Sequence, residues 1–344
     1  MLPRSDRAHD QLLTPMRRHM FAIVTALAAV CLAAAGCDST TPDWSAPGRP
    51  SAVPRQAPPA PPAPDLNSYP EVAADDYQAT DQQDRYLAFQ TPDGLSCRIG
   101  PSIGCDGAIR GTLAPANEIV LNGTAPPAAV EPDGFYRTAR PRFAPPTGSK
   151  AKLLPPRHKI VYGDLQCAVD TGAITVCTRG LPLTGWFVLS PRGSAIGPRV
   201  AGLPPKFPDP HDFVVDEQSY AVGPGNKRAF PYFTVASGLT CNMKVFSGGA
   251  FGCDGALPGI PGADNEIYVN LSARQAGMRA TDQPRFTTHG TIKRLPAWHR
   301  IDYTHETFTT CLAGSDGGVA CYARLPDRAM GFVVSAHSAW TFGD

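Results

Sequence analysis

Glu118, Arg142 and His158 recur in the same order as Glu266, Arg285 and His299. A carboxylate, a guanidinium and an imidazole are the side chains from which an acid–base pair, or a cradle for an anionic or sugar ligand, is assembled. Asp106 and Asp254, and the asparagines Asn117 and Asn265 next to the two glutamates, complete the polar positions held in duplicate. Catalysis would need Glu118 or Asp106 within hydrogen-bonding reach of His158 in a concave site. The competing reading is structural. Asp106 and Asp254 then sit in Asp-Gly turns, Asn and Glu support a loop, and Arg and His satisfy one another or backbone carbonyls. A duplicated enzyme has no need of two intact active sites, so retention in both copies favours structure or bivalent binding. No catalytic residue is assigned, and no cofactor or metal is expected.

Other motifs carry less. Asp170-Thr171-Gly172 matches the tripeptide of aspartic proteases, which need two such loops so that paired carboxylates can share a proton. The equivalent stretch, Ser315-Asp316-Gly317-Gly318, lacks the hydroxyl after its Asp, and a hairpin turn accounts for both. Ser149-Lys150-Ala151-Lys152 fits Ser-x-x-Lys without the companion motifs of penicillin-recognising enzymes. His305-Glu306 lacks the second histidine of a zinc protease, and no nucleophile elbow or phosphate-binding glycine loop is present.

The elements that must hold these residues come in two copies. Gly94-Leu95-Ser96-Cys97 recurs as Gly238-Leu239-Thr240-Cys241, and Gly104-Cys105-Asp106-Gly107-Ala108 as Gly252-Cys253-Asp254-Gly255-Ala256. Further on, Pro141-Arg142-Phe143 recurs as Pro284-Arg285-Phe286, and Phe187-Val188-Leu189-Ser190 as Phe332-Val333-Val334-Ser335. Order is kept throughout with an offset of 141 to 148 residues, which marks an internal duplication. The modules are placed at 85–198 and 229–344, joined by a linker at 199–228. Their apolar segments are short, rich in β-branched and aromatic residues, and bounded by Gly, Pro, Asp or Ser, so each reads as an all-β unit, a small barrel or sandwich. His158, Ile160 and Tyr162 fall on one strand face, as do His299, Ile301 and Tyr303.

Each module holds four of the ten cysteines. An even count in an exported chain implies disulfides. The favoured pairs are Cys97 with Cys105, Cys167 with Cys177, Cys241 with Cys253 and Cys311 with Cys321, each within one hairpin; joining hairpin to hairpin is the alternative. A zinc site would call for Cys-x-x-Cys spacing, which these pairs lack.

Export is the strongest local signal. Arg17 and Arg18 precede an apolar run from Phe21 to Ala35, and Ala34-Ala35-Gly36-Cys37 resembles a bacterial lipobox, with Ala34 where Leu is usual. Residues 1–36 are therefore expected to be a cleaved signal too short to span a bilayer, with Met16 and Met20 as alternative starts, and Cys37 is the expected lipid attachment site. Residues 37–84, with ten prolines between 42 and 70, read as a disordered tether. Removing the four Arg and two Asp of 1–36 leaves 27 basic and 28 acidic residues, a balance that offers nucleic acid no electrostatic attraction. The expected location is the outer face of the cell membrane, with the lipid anchor as membrane contact and an envelope protein, lipid or glycan as partner.

Phe89, Thr91-Pro92-Asp93-Gly94, Cys97, the stretch from Cys167 through Thr175 to Cys177, and Trp186-Phe187-Val188-Leu189-Ser190 together resemble a family of actinobacterial, notably mycobacterial, secreted proteins and lipoproteins whose function is not established. The resemblance covers both modules and implies an envelope location and disulfides. It supplies no catalytic residue. The function expected is an envelope binding or scaffolding lipoprotein, with a hydrolase using a carboxylate and a histidine as the second reading.

Overall fold

In a computed structural model, the described residues are 65–80, 85–122, 132–144, 151–222, 230–244, 249–260, 262–288, 290–305 and 307–343. Cys37, the signal, most of the tether and Ser149-Lys150 lie outside them. The chain is all-β. Each module is a pair of meandering sheets. In the first, Arg85–Gln90, Ser96–Ile99, Ile103–Ile109, Ala116–Leu121 and Gly134–Arg137 pair in sequence order, and His158–Tyr162, Leu165–Asp170, Ile174–Arg179, Gly185–Leu189 and Ala195–Gly197 form the facing sheet. The second module repeats this with Phe230–Thr234 through Gln275–Arg279 and with His299–Thr304 through Ala339–Phe342. Each sheet path has two ends, so the architecture is an open sandwich and the barrel alternative is set aside.

Period-two alternation decides what lies between the sheets. In the first module Leu87, Phe89, Cys97, Cys105 and Ile119 from one sheet meet Ile160, Cys167, Val169, Cys177 and Phe187 from the other in one core. In the second, Phe233, Cys241, Cys253 and Ile267 meet Ile301, Cys311, Cys321 and Phe332. All four expected disulfides form, each between residues directly opposite in a hairpin, with Cα atoms 4.0 to 4.1 Å apart. The ladders match residue for residue: Cys105 faces Ile119 as Cys253 faces Ile267, and Cys177 faces Phe187 as Cys321 faces Phe332. Even the unusual backbone is shared, since Arg157 and Trp298, each just before the repeated histidine, have φ of 59° and 62°.

Two boundaries differ from expectation. The end of the supposed tether is folded: Asp65 caps a 3-10 turn at Leu66–Ser68 by accepting from the Asn67 amide, Glu71 bridges to Lys159 in parallel, and Gln78–Thr80 pairs with Arg85–Gln90. The supposed linker does the same for the second module. Asp209 caps Pro210–Asp212 by accepting from the His211 amide, Val215 pairs in parallel with Arg300, and Ala221–Val222 pairs with Phe230–Thr234. The repeat therefore begins at Asp65 and Asp209.

The leading segments have one physical purpose, which is to cover the outer, apolar face of each module's second sheet. Leu66 and Tyr69 lie on Ala168, Val176 and Val188; Phe207 and Phe213 lie on the equivalent Leu312 and Ala320 with Tyr322. In the second copy the segment does more, because Val214–Asp216 also pairs in parallel with Gly134–Arg137 of the first module. One continuous 13-stranded sheet thereby runs through both modules.

Candidate functional site

Alternation that points Cys105 and Ile119 into the core points Asp106 and Glu118, paired across neighbouring strands, to the outer face of the first sheet. The loop after Gly134–Arg137 folds back over this face, and the polar residues fasten it. Asp106 Oδ2 accepts the Phe143 and Ala144 amides at 2.5 and 2.7 Å, and Glu118 accepts the Arg142 amide at 3.1 Å and Arg142 Nε at 2.7 Å. Asn117 exchanges two hydrogen bonds with the backbone of Thr138. The Phe143 ring then lies where a side chain on Gly104 would stand, so only glycine permits this closure.

The second module repeats the arrangement. Asp254 Oδ2 accepts the Phe286 amide, Arg285 donates to Glu266 from Nε and a terminal nitrogen at 2.9 and 2.7 Å, Asn265 exchanges two bonds with Thr281, and Phe286 lies over Gly252. Charge balance is where the copies part. Opposite Glu118 stands Tyr136, whereas opposite Glu266 stands Arg279, whose Nε donates to Glu266 at 2.6 Å. Burial pushes the Glu266 carboxyl up, but the two arginines outweigh it and hold it below the ordinary range. In the first module burial, then a hydrogen bond with Glu118 and the charge of that neighbour, push Asp106 up to about 7 against the pull of the Phe143 and Ala144 amides. Asp106 Oδ1 is buried without a hydrogen-bond partner, as is Asp254 Oδ1 in the second module.

His158 and His299 do not join these clusters. Each closes a local turn through Nδ1, to Pro156 O at 2.9 Å and Ala297 O at 3.0 Å. His158 shares a strand face with core residue Ile160 on the second sheet, while Asp106 and Glu118 lie on the outer side of the first, so the sandwich core separates them. No hydrogen bond or ion pair links His158 to Glu118 or Asp106. The protease-like tripeptide is a hairpin turn in which Asp170 Oδ1 accepts the Thr171 amide; its counterpart Asp316 accepts the Gly318 and Ala336 amides.

A site that sequence reading missed lies where the modules meet. A cavity of about 260 Å³ is lined from the first module by Pro132, Asp133 and Thr184, from the connecting segment by Arg199 and His211, and from the second module by Arg300, Asp302, Phe308, Tyr322 and Arg324. Most of its polar character is absent from the first copy, where the ladder equivalents of Asp302, Tyr322 and Arg324 are Val161, Thr178 and Gly180, while Lys159 keeps the positive charge of Arg300 without its guanidinium. Arg300 is buried and spends its donors on Pro210 O at 2.7 Å and Asp302 at 2.9 Å within the second copy and, across the junction, on Asp133 O at 2.6 Å. A side chain on Gly134 would collide with its guanidinium. Asp302 is further held by Thr310 at 2.7 Å.

Burial first, then the charges of Arg300 and Arg324, push the His211 imidazole down to about 3, so it is neutral; its buried Nδ1 lies 3.6 Å from Asp209, too far for a hydrogen bond. Among the described residues no group of three or more His, Cys, Asp or Glu side chains is placed to hold a metal, and no helix is long and apolar enough to cross a membrane. Four disulfides mark an oxidising, extracytoplasmic compartment. Comparison with known proteins finds no matching family model, no matching curated protein and no matching solved structure.

Proposed function

We propose that this is a binding or scaffolding protein of the cell envelope, held at the outer face of the membrane through acylated Cys37 and without hydrolytic activity. The observation that carries the non-enzymatic reading is that the polar cluster is spent in the same way twice. In both copies the carboxylates fasten a loop, and the histidine that a hydrolase would need closes a turn elsewhere. Acyl chains contribute about 0.8 kcal/mol per buried methylene, so two or more make attachment durable. The chain from Cys37 to residue 64, with nine prolines, is suited to an extended spacer.

The test is metabolic labelling with a fatty-acid probe in a bacterial host that exports lipoproteins, followed by crosslinking on intact cells. Labelled wild-type chain, unlabelled C37S and a reproducible crosslinked partner are expected. Absence of label on the wild type would remove the anchor. Turnover of an envelope substrate that disappears in E118Q would replace the binding reading with the hydrolase.

A further inference from the structure

The carboxylates kept in both copies fasten loops, whereas Asp302, Tyr322 and Arg324, which the first copy lacks, line the junction cavity. Within that cavity most charge is already answered. Arg300 is neutralised by Asp302, and Asp133 accepts the Asn122 amide. Two guanidinium groups form no ion pair among the described residues, although burial pushes the nearby Asp209 and Asp212 carboxyls up and the charge of Arg199 pulls them down against it. Arg324 makes no hydrogen bond or ion pair among the described residues, and the only bond of Arg199 is to the carbonyl of Phe207. Both line the cavity, together with the rings of Phe308 and Tyr322 and the apolar Pro198 and Val200. Burial first, and then the charges of Arg300 and Arg324, keep His211 beside the cavity neutral.

We propose that the junction cavity binds a small molecule bearing an oxyanion, a carboxylate or a phosphate, on a body about the size of one sugar ring. Arg324, with no hydrogen bond or ion pair among the described residues, and Arg199, bonded through one terminal nitrogen to the Phe207 carbonyl, supply the guanidinium groups, which suit the planar, multidentate geometry of such anions. Phe308, Tyr322 and the prolines supply apolar walls for the body, the mixture usual in small-ligand sites. The volume, just below the range of about 300 to 1,000 Å³ typical of drug-sized ligands, limits the occupant to a small one. This rests on the binding reading above and names the ligand class within it.

The test is calorimetric titration of the full chain, with its disulfides formed, at low ionic strength. Glucuronate, glucose 6-phosphate and glucose serve as carboxylate, phosphate and neutral probes. One equivalent of glucuronate or glucose 6-phosphate is expected to bind, the stronger of the two telling which oxyanion is preferred, and glucose is expected not to bind. Arg324→Gln should weaken the anion at least tenfold without moving the melting temperature of the free protein, because that side chain is exposed and partnerless. Arg199→Gln provides a second, independent loss. The proposal is overturned if neither anion binds, if glucose binds as tightly, or if both variants bind like the wild type. Failure of labelling at Cys37 alongside successful titration would remove the anchor and leave the cavity's role standing.

Discussion

The two outer-face clusters share their loop-fastening bonds and differ in their charge. Asp106, Glu118 and Arg142 put two carboxylates against one guanidinium in the bonded set, whereas Asp254, Glu266, Arg285 and Arg279 put two against two. What both copies keep is the carboxylate on the buried amide of Phe143 or Phe286; what varies is the charge set against it, since a second arginine, Arg279, joins the second cluster alone. A catalytic site could not vary in this way without changing its chemistry, whereas a loop clasp can. The same contrast separates the clasps from the junction, where Asp302 and Arg324 stand in place of Val161 and Gly180.

The largest effects should come from the segments that cover the second sheets. Tyr69→Ala and Phe213→Ala each remove a buried ring from equivalent positions, and each should cost about 3 to 5 kcal/mol in denaturant unfolding. A loss below about 1 kcal/mol for Tyr69→Ala alone would mean that the first module does not depend on its leading segment as the second does. Next come the clasps. Asp106→Ala and Asp254→Ala leave the buried Phe143 or Phe286 amide without an acceptor, at about 1 to 3 kcal/mol each. If only one of the pair is destabilising, the equivalence of the clasps is broken.

The smallest effect is the most discriminating, because in the second copy the lowered Glu266 works against the raised Asp254. The folded-state value of Asp106, about 7, lies above its unfolded value near 4, so the stability it lends is full below pH about 4 and is lost as pH rises towards 7. Glu266, held low, lends stability above its unfolded value near 4.3 that is lost as pH falls through its lowered folded value. Asp254, pushed up by burial first, shares the sign of Asp106 and opposes Glu266 within its own module. Hydrogen exchange corrected for intrinsic rates should show the Phe143 amide losing protection between pH 5 and pH 8 more than the Phe286 amide does. Equal changes would mean that Arg279 does not distinguish the copies.

Much of this was legible in the sequence, for reasons that can be named. The four disulfides and the module cores follow from residues that few others can replace: cysteines opposite one another in hairpins, and apolar residues alternating with period two. Glu118 and Arg142 come together in the sequence reading only as a ligand cluster with His158, and the structural reading gives Arg to His, whereas Arg142 bonds Glu118. The separation of His158 was present but unread, since Asp106 is next to core Cys105 and so faces outward, while His158 shares a face with core Ile160. The leading segments were hidden because their role rests on backbone bridges and a few apolar side chains amid prolines. The capping residues Asp65 and Asp209 stand at the same 144-residue offset as Cys97 and Cys241, and were the available signal. The cavity left no pattern, because its residues are unrepeated and come from distant segments.

The central claim is that the repeated carboxylates build each module and that Arg300, where the first copy has Lys159, ties the two through its bond to Asp133 beside the shared sheet. Calorimetric unfolding of the wild type and Arg300→Met tests it most directly. One cooperative transition in the wild type, splitting into two in the variant as the modules uncouple, is the predicted result. Two independent transitions in the wild type, or a variant that still unfolds in a single step at the wild-type temperature, would contradict it.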